Sequence, residues 1–117
     1  MQDNSDIEAQ VARHAGRNRE LVALITSKGG DLQLERTVDL HFWASQQGAA
    51  AQLAKALAAA GVSDVHTSLS KSESGLWNVE GHVRESVVTV VDPEFVEKFV
   101  RIAQTFEGRF EGWGTSL

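Results

Sequence analysis

The clearest pattern in the chain is an alternation of apolar and polar side chains from Thr37 to Ala44. A period of two predicts a β-strand with one face in the core and a polar opposite face. The inward side chains are Val38, Leu40, Phe42 and Ala44, and the outward ones are Thr37, Asp39, His41 and Trp43. A similar alternation predicts a strand from Leu76 to Arg84, and a weaker one predicts an edge strand from Val62 to Ser70. In the strand from Leu76 to Arg84 the outward side chains are Asn78, Glu80, His82 and Arg84.

The first segment of the chain, from Asp6 to Lys28, has the spacing of an amphipathic helix. Its apolar residues are denser in the second half, so we expect firm packing only from about Asn18 onward. Gly29 and Gly30 then end the helix. The glycine pair lacks the neighbouring residues of a phosphate-binding loop, and helix termination is the favoured interpretation.

Two further helices are predicted. One is expected to use Ser45 as its N-cap and to end before Gly61, and its many alanines imply a close approach to the sheet. The other is expected to begin at Asp92-Pro93, because Asp is a favoured cap and proline fits the first helical turn. Its apolar stripe consists of Phe95, Phe99, Ile102 and Phe106, and Gly108 ends it.

The order strand, helix, strand, strand, helix, strand predicts an α+β, ferredoxin-like fold. Its four-stranded antiparallel sheet would carry two helices on one face, with an extra N-terminal helix. We expect the strand order 4-1-3-2, with Arg109 to Thr115 as the last strand and Lys71 to Gly75 as a hairpin loop. Residues 1–30 would hold the N-terminal helix and 31–117 the main fold, within a single domain. Residues 87–91 either extend the third strand or form a separate piece.

Composition and charge restrict the function classes. The chain has 117 residues, no cysteine and a net charge of -5, which suits one domain without disulfide or thiol chemistry. Basic residues are scattered, with Arg13, Arg17 and Arg19 the only local group, so direct nucleic-acid binding is disfavoured. A basic protein surface is the better partner for such a chain. The polar start and the lack of a long apolar run predict a cytoplasmic protein without a membrane segment.

The stretch Phe110-Glu111-Gly112-Trp113-Gly114-Thr115 resembles the ending of the RraB family, protein regulators of ribonuclease E. The residues from Arg36 to Phe42 resemble the first strand of that family. The following helix that ends at Gly61, and a later helix that leads into Gly108, extend the resemblance over residues 29–117. It implies the same α+β architecture and a non-catalytic regulator that binds ribonuclease E without a cofactor. The alternative is a small-molecule-binding or enzymatic ferredoxin-like domain.

Members of the family often continue past this motif into a long acidic tail, whereas the sequence here stops at Leu117. If such a tail engages basic segments of the nuclease, we expect the chain as given to lack that contribution to inhibition.

The polar face of the predicted sheet is the candidate protein-binding site. The residues predicted to form it are Trp43, Glu111, Trp113, His41, His82, Arg84 and Arg109. Exposed tryptophan and arginine are the residue types that most often anchor protein interfaces. The glycines on both sides of Trp113 would leave its ring accessible. In the alternative arrangement, the N-terminal helix packs over part of this face and buries Trp43 or Trp113.

A metal site on this face would combine His41 and His82 with Glu80 or Asp39. These residues come from separate strands without a short spacing motif, so a solvated or hydrogen-bonded histidine pair is the favoured interpretation and no metal is predicted. His14 and His66 have no evident partners and are predicted to lie on the surface.

The sequence gives even less support to a catalytic group of residues than to a metal site. Ser45, His41 and Asp39 lie close in sequence, but there is no Gly-x-Ser-x-Gly elbow and Ser45 is better used as a helix cap. Nothing around Glu80 or Glu111 suggests the desolvated cleft that acid-base chemistry needs. The sequence therefore predicts no catalytic residue.

Overall fold

The order of helices and strands follows the α+β pattern predicted from the sequence. A computed structural model describes residues 4–70 and 75–116. Its elements are α1 (Asn4–Ser27), β1 (Arg36–Ala44), α2 (Gln47–Ala59), β2 (Ser63–Leu69), β3 (Trp77–Glu85), α3 (Val87–Val90), α4 (Pro93–Thr105) and β4 (Gly108–Thr115). Most of the predicted hairpin loop over 71–75 lies outside the described residues.

The strands form one antiparallel sheet in the order β2-β3-β1-β4. This is the predicted order 4-1-3-2, with β1 and β3 in the centre. β4 pairs with β1 along its whole length, because each helical connection carries the chain across the sheet before it returns beside an earlier strand. The prediction of an α+β fold with a four-stranded antiparallel sheet is confirmed.

The core lies between one face of the sheet and the helices. Val38, Leu40, Phe42 and Ala44 of β1 are all buried, as their alternation predicted. The ring of Phe42 lies 6.1 Å from that of Phe99 on α4 and 5.0 Å from that of Phe110 on β4. α2 contacts both α4 and the sheet, so the two helices lie on the same side. The opposite side of the sheet is the polar one.

The N-cap predicted for α4 is confirmed, whereas the one predicted for α2 is not. The Asp92 side chain accepts a hydrogen bond of 2.8 Å from the backbone N–H of Glu94, which confirms the predicted cap of α4. The prediction of Ser45 as the cap of α2 is wrong. The strand continues through Ala44, and the chain needs the next two residues to turn, so Gln46 occupies the cap position without a side-chain capping bond.

Residues 87–91, whose structure the sequence left open, contain a short helix. α3 spans Val87–Val90, and its cap Ser86 accepts a hydrogen bond of 3.2 Å from the backbone N–H of Thr89. Val87 and Val90 are fully buried, so these β-branched residues pack into the core and do not extend β3. The segment is a separate piece.

α1 packs along nearly its whole length. Ile7 in its second turn is fully buried, and Ile25 near its end is 4% exposed. The expectation of firm packing only from Asn18 is therefore wrong, because the first half of α1 lies against α4. There Asp6 accepts hydrogen bonds from Gln10 (2.9 Å) and from Gln104 of α4 (3.5 Å). None of the helices in the described part of the chain is both long and apolar enough to cross a membrane.

The glycine pair after α1 ends the helix as predicted. Gly29 has a φ of +74°, a conformation that residues with a Cβ rarely adopt. The backbone N–H of Gly30 then donates to the carbonyl of Ile25 over 2.9 Å, so that a carbonyl of the last turn is satisfied.

Candidate functional site

The polar side of the sheet, here called the open face, consists of side chains that pair across β1 and β3. The pairs are Thr37 with Arg84, Asp39 with His82, His41 with Glu80 and Trp43 with Asn78. None of these eight side chains belongs to a buried residue. The described helices therefore leave the open face accessible. The alternative in which α1 covers this face is wrong, although α1 does bury Trp113 on the other side of the sheet.

Histidines and carboxylates meet at the centre of the open face. The Nδ1 atom of His41 lies 3.6 Å from Glu80 Oε1, and the Nε2 atom of His66 on β2 lies 3.8 Å from Glu80 Oε2. His82 contacts another carboxylate, with its Nε2 atom 3.4 Å from Asp64 Oδ2. The side chains of His41 and Glu80 are both more than two-fifths exposed, so water screens the pair and it adds little to stability.

These contacts can be compared with the predictions for His41 and His82 as a pair or metal site and for His66 as a surface residue. His41 and His82 contact different carboxylates rather than sharing one. Within residues 4–70 and 75–116, no group of three histidine or carboxylate side chains is arranged to hold a metal ion. His66 is exposed, as predicted, but it does have a partner in Glu80.

Trp43 lies toward one end of the open face and is half-buried. Its neighbour on β4 is Arg109, which is exposed. At the other end, the Nε atom of Arg84 lies 3.3 Å from Glu35 Oε1, and both side chains are about two-thirds exposed. The open face thus has a tryptophan and an arginine at one end, an arginine at the other and carboxylates between them.

Trp113 does not lie on the open face. It is opposite Leu40 on the side of the sheet that the helices cover, and it is 5% exposed. The expectation that its ring is accessible beside Trp43 is wrong. The register shows why, because His41 pairs with Gly112 whereas Phe42 pairs with Phe110. The extra residue is a β-bulge, and one extra residue moves every later side chain to the other face.

Glu111 is the residue at this bulge, between the paired positions 110 and 112. It is exposed, but its backbone carbonyl accepts a hydrogen bond of 2.9 Å from Nη1 of Arg17 on α1. A Cβ on Gly112 would lie 2.7 Å from the same Nη1 atom, so the glycine makes room for the guanidinium. Glu111 therefore borders the junction of α1 and β4 and not the neighbourhood of Trp43.

His14 is buried at that junction, and the prediction that it lies on the surface is wrong. Its ring stacks on Phe110 at 4.8 Å between centroids, and its Nε2 atom lies 3.0 Å from the Phe110 carbonyl oxygen. Burial lowers the pKa of His14, the hydrogen bond opposes this, and the charges of Arg17, Arg13 and Arg109 lower it further.

The sequence contains a signal for this packing that was missed. His14 and Asn18 continue the helical stripe that begins at Ile7 and Val11 and ends at Ile25. Both are polar residues at positions where the spacing requires burial. Each finds a hydrogen-bond partner in β4. His14 contacts the Phe110 carbonyl, and the indole Nε1 of Trp113 donates to Asn18 Oδ1 over 2.9 Å.

The model of one family, RraB, described as regulator of ribonuclease activity B, matches residues 16–115. No curated protein matched the chain. The matched region begins within α1 and ends with β4, so it contains the whole sheet, the open face and the junction at which Trp113 is buried. Because this match covers most of the 117 residues, the chain belongs to the RraB family.

Proposed function

We propose that this chain regulates ribonuclease E by protein contact and that the open face of the sheet forms the contact. The observation that carries the proposal is the half-buried Trp43, which lies beside the exposed Arg109 on a sheet face that the described helices leave uncovered. Tryptophan and arginine are the residue types most enriched among interface anchors. The family description, a regulator of ribonuclease activity, supports a protein partner in the RNA-degrading machinery.

The charges of the open face indicate what the partner surface looks like. Three carboxylates, those of Asp39, Asp64 and Glu80, border one shallow depression together with the three histidines. Asp39 makes no ion pair with any described residue, so its full charge is available. A basic segment of the nuclease would complement this centre and would be attracted to it before contact.

The proposed mode of action needs no chemistry from this chain. A protein that occupies the surface through which a nuclease binds RNA or its other partners changes the rate of cleavage by mass action alone. The charged residues of the open face then serve recognition, and Trp43 supplies the apolar area that is buried on binding. Catalysis would remain entirely with the nuclease.

The experiment is a binding titration with purified ribonuclease E. Trp43→Ala should weaken the complex by about 2 kcal/mol or more, which is roughly thirtyfold in Kd. Trp77→Ala is the matched control, because Trp77 is also half-buried but lies opposite Ala44 on the helix-covered side. The control should retain wild-type affinity per folded molecule, as checked by circular dichroism. Equal losses in both variants would contradict the assignment of the open face, and absence of any complex with wild type would contradict the choice of partner.

A further inference from the structure

Three arginines converge on one cavity at the junction of α1 and β4. Arg13 and Arg17 lie one turn apart on α1, and Arg109 lies near the start of β4. The cavity has a volume of about 230 Å³. Its other lining residues are Gln10, His14, Phe110 and Glu111. We call this site the arginine pocket.

Most of the positive charge in the arginine pocket is not neutralised by the chain. Arg17 donates to the backbone carbonyl of Glu111, which carries no net charge. Arg13 and Arg109 make no ion pair with any described residue. Like charges four residues apart on a helix repel each other, so Arg13 and Arg17 destabilise α1 slightly in a way that a bound anion would relieve. This positive cluster stands out in a chain with a net charge of -5.

The inner wall of the pocket is formed by a buried histidine and not by an acidic side chain. His14 is buried there, stacked on Phe110, and its Nε2 atom is engaged by a backbone carbonyl. The one carboxylate that lines the pocket is that of Glu111, which is exposed at the bulge. The His14 ring and the Arg17 guanidinium are held by contacts between α1 and β4, so the site exists only in the folded chain.

We propose that the arginine pocket binds the phosphate group of a small phosphomonoester. Guanidinium groups donate pairs of parallel hydrogen bonds that match the oxygens of a phosphate, and charge-assisted bonds of this kind are the strong ones. The cavity is several times the roughly 30 Å³ that one water molecule occupies in the liquid, so it has room for part of the group that carries the phosphate. A single pocket also differs from the row of basic side chains that follows a nucleic-acid backbone. The arginine pocket shares Arg109 with the proposed ribonuclease contact, but its other residues lie at the junction of α1 and β4 and not on the open face.

The test is a titration of the full chain followed by NMR, with inorganic phosphate, glycerol 3-phosphate and succinate as probes. Saturable shifts should appear at residues lining the pocket, with glycerol 3-phosphate binding more tightly than inorganic phosphate, and both more tightly than succinate. Arg13→Gln and Arg109→Gln should each weaken binding by about tenfold or more, the loss expected for a charge-assisted hydrogen bond. Arg19→Gln is the matched control, because Arg19 is an exposed arginine of α1 that does not line the pocket. It should bind like wild type.

The ring resonances of His14 provide a second readout. The charged groups that act on this ring are Arg13 and Arg17 on α1 and Arg109 on β4, and the Glu111 carboxylate lines the same pocket. A bound phosphate offsets the arginine charges, so it should raise the pKa of His14 in the wild type and leave it unchanged in Arg13→Gln/Arg109→Gln. Equal affinity of that double variant and wild type, or shifts spread over all basic residues without saturation, would overturn the proposal. Tighter binding of succinate than of either phosphate, or binding of a short single-stranded RNA more than about tenfold tighter than the monoester, would also overturn it.

Discussion

The indole Nε1 of Trp113 donates a 2.9 Å hydrogen bond to the side-chain oxygen of Asn18, and both residues are buried. This bond joins the last strand of the sheet to the middle of the first helix, across 95 residues of chain. Within the described residues the Nδ2 atom of Asn18 has no hydrogen-bond partner. The amide is therefore held in the core mainly by its bond to the indole, which gives Trp113 a structural role.

Trp113→Phe should lower the free energy of unfolding by about 1 to 3 kcal/mol, because it leaves the buried oxygen of Asn18 without a donor. Trp113→Ala, which also loses the ring, should cost about 3 to 5 kcal/mol. Urea titration measures both. In a double-mutant cycle, Asn18→Leu should recover part of the loss caused by Trp113→Phe, since it removes the unsatisfied amide. Strictly additive losses would mean that the bond contributes nothing.

The two glycines beside Trp113 should respond differently to substitution. Gly112 has a φ of +146°, and a Cβ there would lie 2.7 Å from Nη1 of Arg17. Gly112→Ala should therefore cost about 1 to 2 kcal/mol or more. Gly114 has no atom within 4 Å of the corresponding position, so Gly114→Ala is the matched control and should be nearly neutral. Equal thermal midpoints for the two variants would contradict the β-bulge described here.

Phe99 is at the centre of the aromatic core, 2% exposed and in ring contact with Phe42, Phe95 and Phe110. Phe99→Ala should lower the free energy of unfolding by about 3 to 5 kcal/mol, the usual cost of truncating a buried aromatic residue. Val88→Ala, at a position that is 50% exposed, should change it by less than about 0.5 kcal/mol. A loss below about 1 kcal/mol for Phe99→Ala would show that α4 packs through a different face.

Stability should depend on pH through His14. Its pKa in the folded chain is lowered from the ordinary value of 6.5, chiefly by burial, so the unfolded chain binds this proton more readily. The stability gained by burying neutral His14 is fully present above pH 6.5 and is lost as the pH falls toward the folded-state pKa. Urea titrations between pH 7.5 and 5 should therefore show a smaller decline for His14→Gln, which retains a donor but does not titrate. An identical decline in both chains would contradict the burial of a neutral His14.

The strand pattern was predictable because burial on one side of a sheet forces a period of two. The residues from Thr37 to Ala44 keep that period without interruption, and β1 has the predicted faces. The closing strand could not be assigned in the same way. Its bulge at Glu111 reverses the faces of Gly112 and Trp113, and the side chains that contact the chain there, Arg17 and Asn18, belong to an element about 95 residues away in sequence.

The first helix was recognised, but its packing was not. Sequence periodicity assigns apolar residues to the core, and the buried positions of His14 and Asn18 are polar. Their burial depends on partners in β4, the Phe110 carbonyl and the Trp113 indole. The spacing of the stripe in α1 indicates that these two positions are buried, but it does not identify partners about 95 residues away. For the same reason, the local group of Arg13 and Arg17 did not predict a pocket shared with β4.

Regulation through the open face can be tested by the rate at which purified ribonuclease E cleaves an RNA substrate at increasing concentrations of this chain. The chain alone should leave the RNA intact. Wild type should change the cleavage rate in a saturable manner, and Trp43→Ala should need roughly thirtyfold more protein for the same effect. A cleavage rate that wild type leaves unchanged at concentrations far above those of the nuclease, or one that Trp43→Ala changes as effectively as wild type, would contradict regulation through the open face.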